Sequence, residues 1–90
     1  MRFDWDPEKA EANALKHGVT FDEAGTVFGD VLSVSGSDLA HSAGEHRFVT
    51  IGLSSQGRVL VVCHADLGNV IRIISARNAT RKEKRTYEEG

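Results

Sequence analysis

The chain has 90 residues, 40% of them apolar and 27% charged, and carries a net charge of −2. That length supports one domain over residues 1–90 with a small core, burying roughly 60–65% of the surface exposed on unfolding, and the composition excludes a disordered chain. No apolar run approaches the roughly 18 residues of a membrane span, residues 1–6 hold no apolar signal segment, and the lone Cys63 excludes an internal disulfide, so no membrane contact and a reducing, cytoplasmic location are expected.

Phe3 and Trp5 alternate with Asp4 and Asp6, which predicts a short strand. Asp6 as N-cap and Pro7 at the first helical position then open a helix that runs to about His17 and stops at Gly18. Its apolar stripe is thin: Ala10, Ala14 and Leu15. Thr20 and Glu23 have capping-box spacing and open a second helix, with Phe21, Ala24, Val27 and Phe28 on one side and an end near Gly29. A weak strand is predicted at 31–35 and an exposed loop at 36–45. Strands follow at roughly 46–53, 58–64 and 70–77, divided by turn compositions at 54–57 and 66–69. Thr80 and Glu83 repeat the capping-box spacing and open a last helix. The order is β-α-α-β-β-β-β-α, an α+β domain with helices packed on an antiparallel sheet meander.

Turn length sets the register. Two-residue loops at 55–56 and 67–68 pair Arg47 with His64, His64 with Ile71, and Arg58 with Arg77. One face then holds Val49, Ile51, Leu53, Leu60, Val62, Ile71 and Ile73, which the helices should cover. Glu45, Arg47 and His64 end that face at one margin; Arg58, Ser75 and Arg77 end it at the other. Arg72 falls on the opposite face. A one-residue change in either loop exchanges the faces.

Charge is unevenly placed. Residues 58–87 hold seven Lys/Arg against two acids, whereas residues 1–57 hold four against nine. One surface is therefore suited to a polyanion. Arg72 and Arg77 project from a strand, and Arg81, Lys84 and Arg85 recur on one helical face as a row of phosphate contacts, although a solvated helix face reads equally well there. Lys16 and His17 end the first helix, where positive charge suits the dipole; Lys16 is also an RNA-binding candidate.

Other chemistries fit poorly. His17, His41, His46 and His64 lack metal-ligand spacing, so no metal site is expected, and no nucleophile elbow or glycine-rich phosphate loop is present. Cys63 reads as a small buried hydrophobe. RNA cleavage needs a base for the 2′-hydroxyl, a cation for the phosphorane and an acid for the 5′-oxygen, with no metal required. His64, Glu45, Arg47, Arg72, Arg77 and Tyr87 supply those chemistries. Their structural readings are a capped strand end for His64, an ion pair for Glu45 and Arg47, and a helix anchor for Tyr87.

The motif Phe3-x-Trp5-Asp6-x-x-Lys9-x-x-x-Asn13-x-x-Lys16-His17-Gly18-Val19-x-Phe21-x-Glu23-Ala24 resembles the opening signature of the BrnT family, toxins of type II toxin–antitoxin pairs. Gly44-Glu45-x-Arg47-Phe48, Ile51-Gly52-Leu53-Ser54 and Val61-Val62-x-His64 agree with it. So does Arg72-Ile73-Ile74-Ser75-Ala76-Arg77-x-Ala79-Thr80-x-x-Glu83-x-x-x-Tyr87. The resemblance implies a RelE-like fold and a small ribonuclease that blocks translation and growth without metal or organic cofactor. It implies a scattered set of basic and polar residues on the sheet rather than a fixed triad; on the leading reading His64 is acid or base, Arg47, Arg72 and Arg77 hold the scissile phosphate, and Glu45 and Tyr87 support them. It also implies a cognate BrnA-type antitoxin with a ribbon-helix-helix region, and contact with DNA only through that complex. The alternative is a RelE-like module that binds RNA or a DNA-binding partner without cutting. A plain DNA-binding regulator fits poorly, because the last helix is too short and lightly apolar for a helix-turn-helix.

Overall fold

The computed structural model describes residues 1–39, 42 and 44–90, so His41 lies outside the described residues, as does part of the expected loop 36–45. The chain forms β1 (Arg2–Asp4), α1 (Pro7–His17), α2 (Phe21–Gly25) with a 3₁₀ turn at Thr26–Gly29, β2 (Val34–Ser37), β3 (Arg47–Leu53), β4 (Val59–Leu67), β5 (Val70–Asn78) and α3 (Arg81–Glu89). The five strands make one sheet in the order β1-β5-β4-β3-β2. β2 to β5 form the antiparallel meander, and β1 adds parallel to β5, which makes the sheet mixed. No described helix is long and apolar enough to cross a membrane.

Local chemistry sets the helix ends. The Asp6 carboxylate accepts from Glu8 N at 2.9 Å, Pro7 opens α1, and Gly18 closes it at φ 67°. Thr20 caps α2 by accepting from Glu23 N at 3.1 Å, but the reciprocal half of that expected capping box is absent. The Glu23 carboxylate points inward instead, where it is 4% exposed and bound by Ser54 Oγ at 2.7 Å and by the Arg58 guanidinium. Burial of a carboxylate is tolerable only with such partners. The second helix then tightens into its 3₁₀ turn. The core lies between these helices and the sheet: Val19, Phe21, Ala24 and Val27 meet Leu60, Val62, Ile71, Ile73 and Ala76.

Two turns correct the expected register. The β3–β4 loop has three residues, 55–57, with Gly57 at φ 80°, so Leu53 pairs with Val59. That one-residue shift exchanges the faces of β3. Phe48, Thr50 and Gly52 face the helices, while Arg47, Val49, Ile51 and Leu53 face away. Gly52 must be small here, because a Cβ would lie 3.2 Å from Val27 Cβ and 3.0 Å from Ser33 Cβ. The β4–β5 turn is Gly68–Asn69, with Leu67 paired to Val70. Farther along, His64 pairs with Ile73 but Cys63 with Ser75, which leaves Ile74 as a bulge. Arg58, expected at the sheet margin with Arg77, is drawn to Glu23 and to Gly18 O at 3.1 Å.

β1 reaches only to Arg72 on β5, so the rest of that edge lacks a strand neighbour. α1 takes its place. Asn13, 7% exposed, donates to Ala76 O at 2.8 Å and Val19 O at 3.0 Å, and accepts from Ala76 N at 3.1 Å. Its amide completes the β5 edge as a neighbouring peptide would. Asn13→Leu leaves these buried groups unpaired, and we expect it to lower stability by about 2–4 kcal/mol in urea unfolding. An unchanged midpoint would refute the role.

Candidate functional site

The face turned away from α1 and α2 gathers the strand-borne arginines. Arg47 and Arg72 each pair with Ala65, one from either side. Strands lie about 4.8 Å apart, so the two Cα atoms are about 10 Å apart with only a methyl group between them. Ala65 is 1% exposed, and a small residue is what lets two long side chains lie alongside each other. Arg72 Nε is 3.3 Å from Asp4 Oδ2, and its Nη1 is 3.6 Å from Glu45 Oε2. Such exposed pairs are weak and exchangeable. Among the described residues, the Nε of Arg47 is buried and has no hydrogen-bond partner. A buried guanidinium donor without an acceptor is costly unless a ligand supplies one.

Arg77 projects from the same face, because the Ile74 bulge reverses the alternation between Arg72 and Arg77. It donates to both Glu83 oxygens at 2.7 and 2.8 Å. Glu83 also accepts from Thr80 N at 2.8 Å, completing the expected capping box of α3. These bonds, Arg77 first, hold the Glu83 carboxyl at about 2 against an ordinary 4.5, although its burial pushes the other way. α3 packs toward β3, and Tyr87 donates to Asp30 Oδ2 at 2.6 Å. That bond raises the Tyr87 phenol and lowers the Asp30 carboxyl. Tyr87 is thus held as a latch for α3. Arg81, Lys84 and Arg85 are exposed along the helix.

His64 does not join the arginines. The role expected of it beside Arg47, Arg72 and Arg77 has no common cleft, because β4 turns its side chain toward the helices, where it is 3% exposed. Its Nδ1 lies 2.8 Å from Asp66 Oδ1 and its Nε2 lies 2.7 Å from Thr50 Oγ1. Phe28 meets the ring edge-on at 4.8 Å, and Phe48 stacks on it at 5.9 Å. A cavity of about 500 Å³ opens beside it. Sequence reading missed Asp66, Thr50 and Ser35 as its companions. The spacing His64-x-Asp66 was the available signal, since i and i+2 share a strand face. Lys16 lines a separate groove with Lys9, His17 and Ser75, beside the arginine face. Lys9 and His17 were likewise not singled out for binding.

The model of the family described as "Ribonuclease toxin, BrnT, of type II toxin-antitoxin system" matches residues 5–83. The chain belongs to this family. Like the family, it is therefore read as a ribonuclease toxin with an antitoxin partner. The BrnT fold is supported separately by the 1.1 Å crystal structure of the Brucella abortus ribonuclease toxin BrnT. It superposes with a TM-score of 0.65 at 21% identity, over 90% of this chain and 99% of that one. No curated protein matches.

In this BrnT-family chain the Arg77–Glu83 pair makes a checkable acid-side contribution. The folded Glu83 pKa lies below its unfolded value, so the stabilisation is full above about pH 4.5 and fades as pH falls toward about 2. The pair is partly exposed, so about 1 kcal/mol is expected after solvent screening. Urea unfolding of the native chain and of Arg77→Gln should differ by that amount at pH 6 and converge near pH 2. A constant difference would refute it.

Proposed function

We propose that this protein is a metal-independent endoribonuclease that cuts at the Arg47–Ala65–Arg72 row. The buried, unpartnered Arg47 Nε beside the exposed Arg72 carries this reading. Two guanidinium groups flanking one methyl-sized gap suit a phosphodiester, each with a planar donor fork for its oxygens. Arg72 would release its loose contacts with Asp4 and Glu45 when phosphate arrives.

Glu45 then becomes free to accept the 2′-hydroxyl proton. The 2′-oxygen attacks phosphorus, the arginines neutralise the phosphorane, and the 5′-oxygen leaves with a proton from solvent. The products are a 2′,3′-cyclic phosphate and a 5′-hydroxyl. Arg77, oriented by Glu83, extends the positive strip toward Arg81, Lys84 and Arg85. Lys16, with Lys9 and His17, continues it past the β5 edge. The roles first expected of His64 and Tyr87 pass to packing and latching in this scheme.

RNA cutting in the cytoplasm would stop translation and growth. A ribbon-helix-helix antitoxin of the BrnA type would neutralise the protein by covering the arginine face, and DNA would be touched only through that complex. β2 is an outer strand with Val31, Leu32 and Leu39 exposed near it, a suitable ledge for such a partner.

Purified, antitoxin-free protein should cleave total RNA in EDTA. Arg47→Ala with Arg72→Ala should slow this at least about 100-fold, in line with loss of transition-state charge stabilisation, while circular dichroism is retained. His64→Gln, if folded, should keep most of the activity. RNA binding without any cleavage by the native chain would favour the non-catalytic alternative, and full activity in the folded double variant would remove the site.

A further inference from the structure

β1 is the outer strand at the end of the sheet away from β2, and all three of its residues are exposed. In parallel pairing, alternate residues turn both peptide groups to the neighbouring strand. Arg2 N donates to Asn69 O at 3.0 Å, so Arg2 and Asp4 spend their peptide groups on β5. Those of Phe3 turn to the open edge, where among the described residues they meet no partner. One N–H and one C=O on a single residue are the set that an antiparallel pair exchanges. A residue can exchange them with its own counterpart in a second copy.

The side chains fit that register. With Phe3 opposite Phe3 of the copy, Arg2 stands opposite Asp4 and Asp4 opposite Arg2. Arg2 has no ion pair among the described residues, and Asp4, 53% exposed, holds Arg72 with one oxygen only, at 3.3 Å. An edge strand with charges of one sign repels its copy; here the signs alternate about a central ring. Phe3 turns toward the helices, its ring centroid 5.7 Å from that of Phe28, yet it stays 39% exposed. The same register sets Met1, 80% exposed, opposite Trp5 of the copy. A cavity of about 220 Å³ lined by Phe3, Trp5, Phe21 and Gly25 opens along that line. Backbone, charge and apolar surface at this edge are each self-complementary.

We propose that a second copy of this chain pairs antiparallel with β1 across a two-fold axis at Phe3, joining the two five-stranded sheets into one. The axis runs perpendicular to the joined sheet, so both arginine faces look the same way. Arg2 of the copy meets the Asp4 carboxylate that otherwise touches Arg72, and each arginine face gains a cation from the other chain. The pairing itself does not depend on the ribonuclease reading. A strand pair this short falls below the roughly 1,200 Å² of a stable interface, so the dimer is reversible.

Sedimentation velocity of the antitoxin-free chain, taken across the micromolar to millimolar range, should show a monomer passing into a dimer. Arg2→Asp or Asp4→Arg alone sets like charges opposite each other twice and should weaken the dimer about tenfold. The two changes together exchange the signs and should restore it. A monomer at every concentration would overturn the proposal. So would a dimer indifferent to the single reversals, or a folded double variant that fails to recover. Should a variant not fold, dilution of the ¹⁵N-labelled native chain decides: the amides of residues 2–5 should shift with concentration, and shifts confined to other residues would refute this surface.

Discussion

Between the pairs His64–Ile73 and Cys63–Ser75, β5 carries one unpaired residue, Ile74, and the alternation of the strand reverses there. Arg72 and Arg77 are five residues apart. In an unbroken strand they would point to opposite faces; with the bulge they share one. A bulge on an outer stretch of sheet needs support, because its backbone groups are not all taken up by the ladder. Asn13 supplies it two residues on, closing the β5 edge at Ala76 from α1. That Arg77 joins Arg72 on one face is therefore a consequence of one extra residue, held beside one buried amide.

The distribution of acids follows the same logic. In the first half of the chain three of them serve the architecture: Asp6 and Glu23 at helix starts and in the core, Asp30 under Tyr87 and the backbone of Leu32 and Leu53. Glu23 is buried yet stays below its ordinary pKa because Arg58 donates to it. Among the described residues Asp4 and Glu45 reach Arg72, and both do so from exposed positions. A net charge of −2 thus coexists with a locally positive sheet face, since what acts on a phosphate is the local field rather than the sum.

Much of the fold was legible. Pro7, Gly18, Thr20 and Thr80 mark helix boundaries through local backbone chemistry, and α1 ends at His17 as expected. The three long strands were visible as apolar runs. The weak second strand was displaced to Val34–Ser37, because its pairing with β3 fixes it rather than its own composition. Of the candidate site, the arginines were legible as residues but not as a group. Arg47 was placed with the apolar face, Arg72 opposite it and Arg77 with Arg58. Thr50 and Ser35 gave no sequence signal, since a hydroxyl on a strand has no pattern of its own.

Local chemistry alone determined the element order, the caps and the segregation of charge along the chain, because each depends on residues within a few positions of one another. Tertiary structure decided which side chains meet. A three-residue turn at 55–57 rotated β3 and so carried Arg47 to the far side of the sheet from His64, and a bulge at Ile74 rotated the end of β5. Side chains on a strand alternate with a period of two, so a single residue of register, invisible in composition, chooses the face.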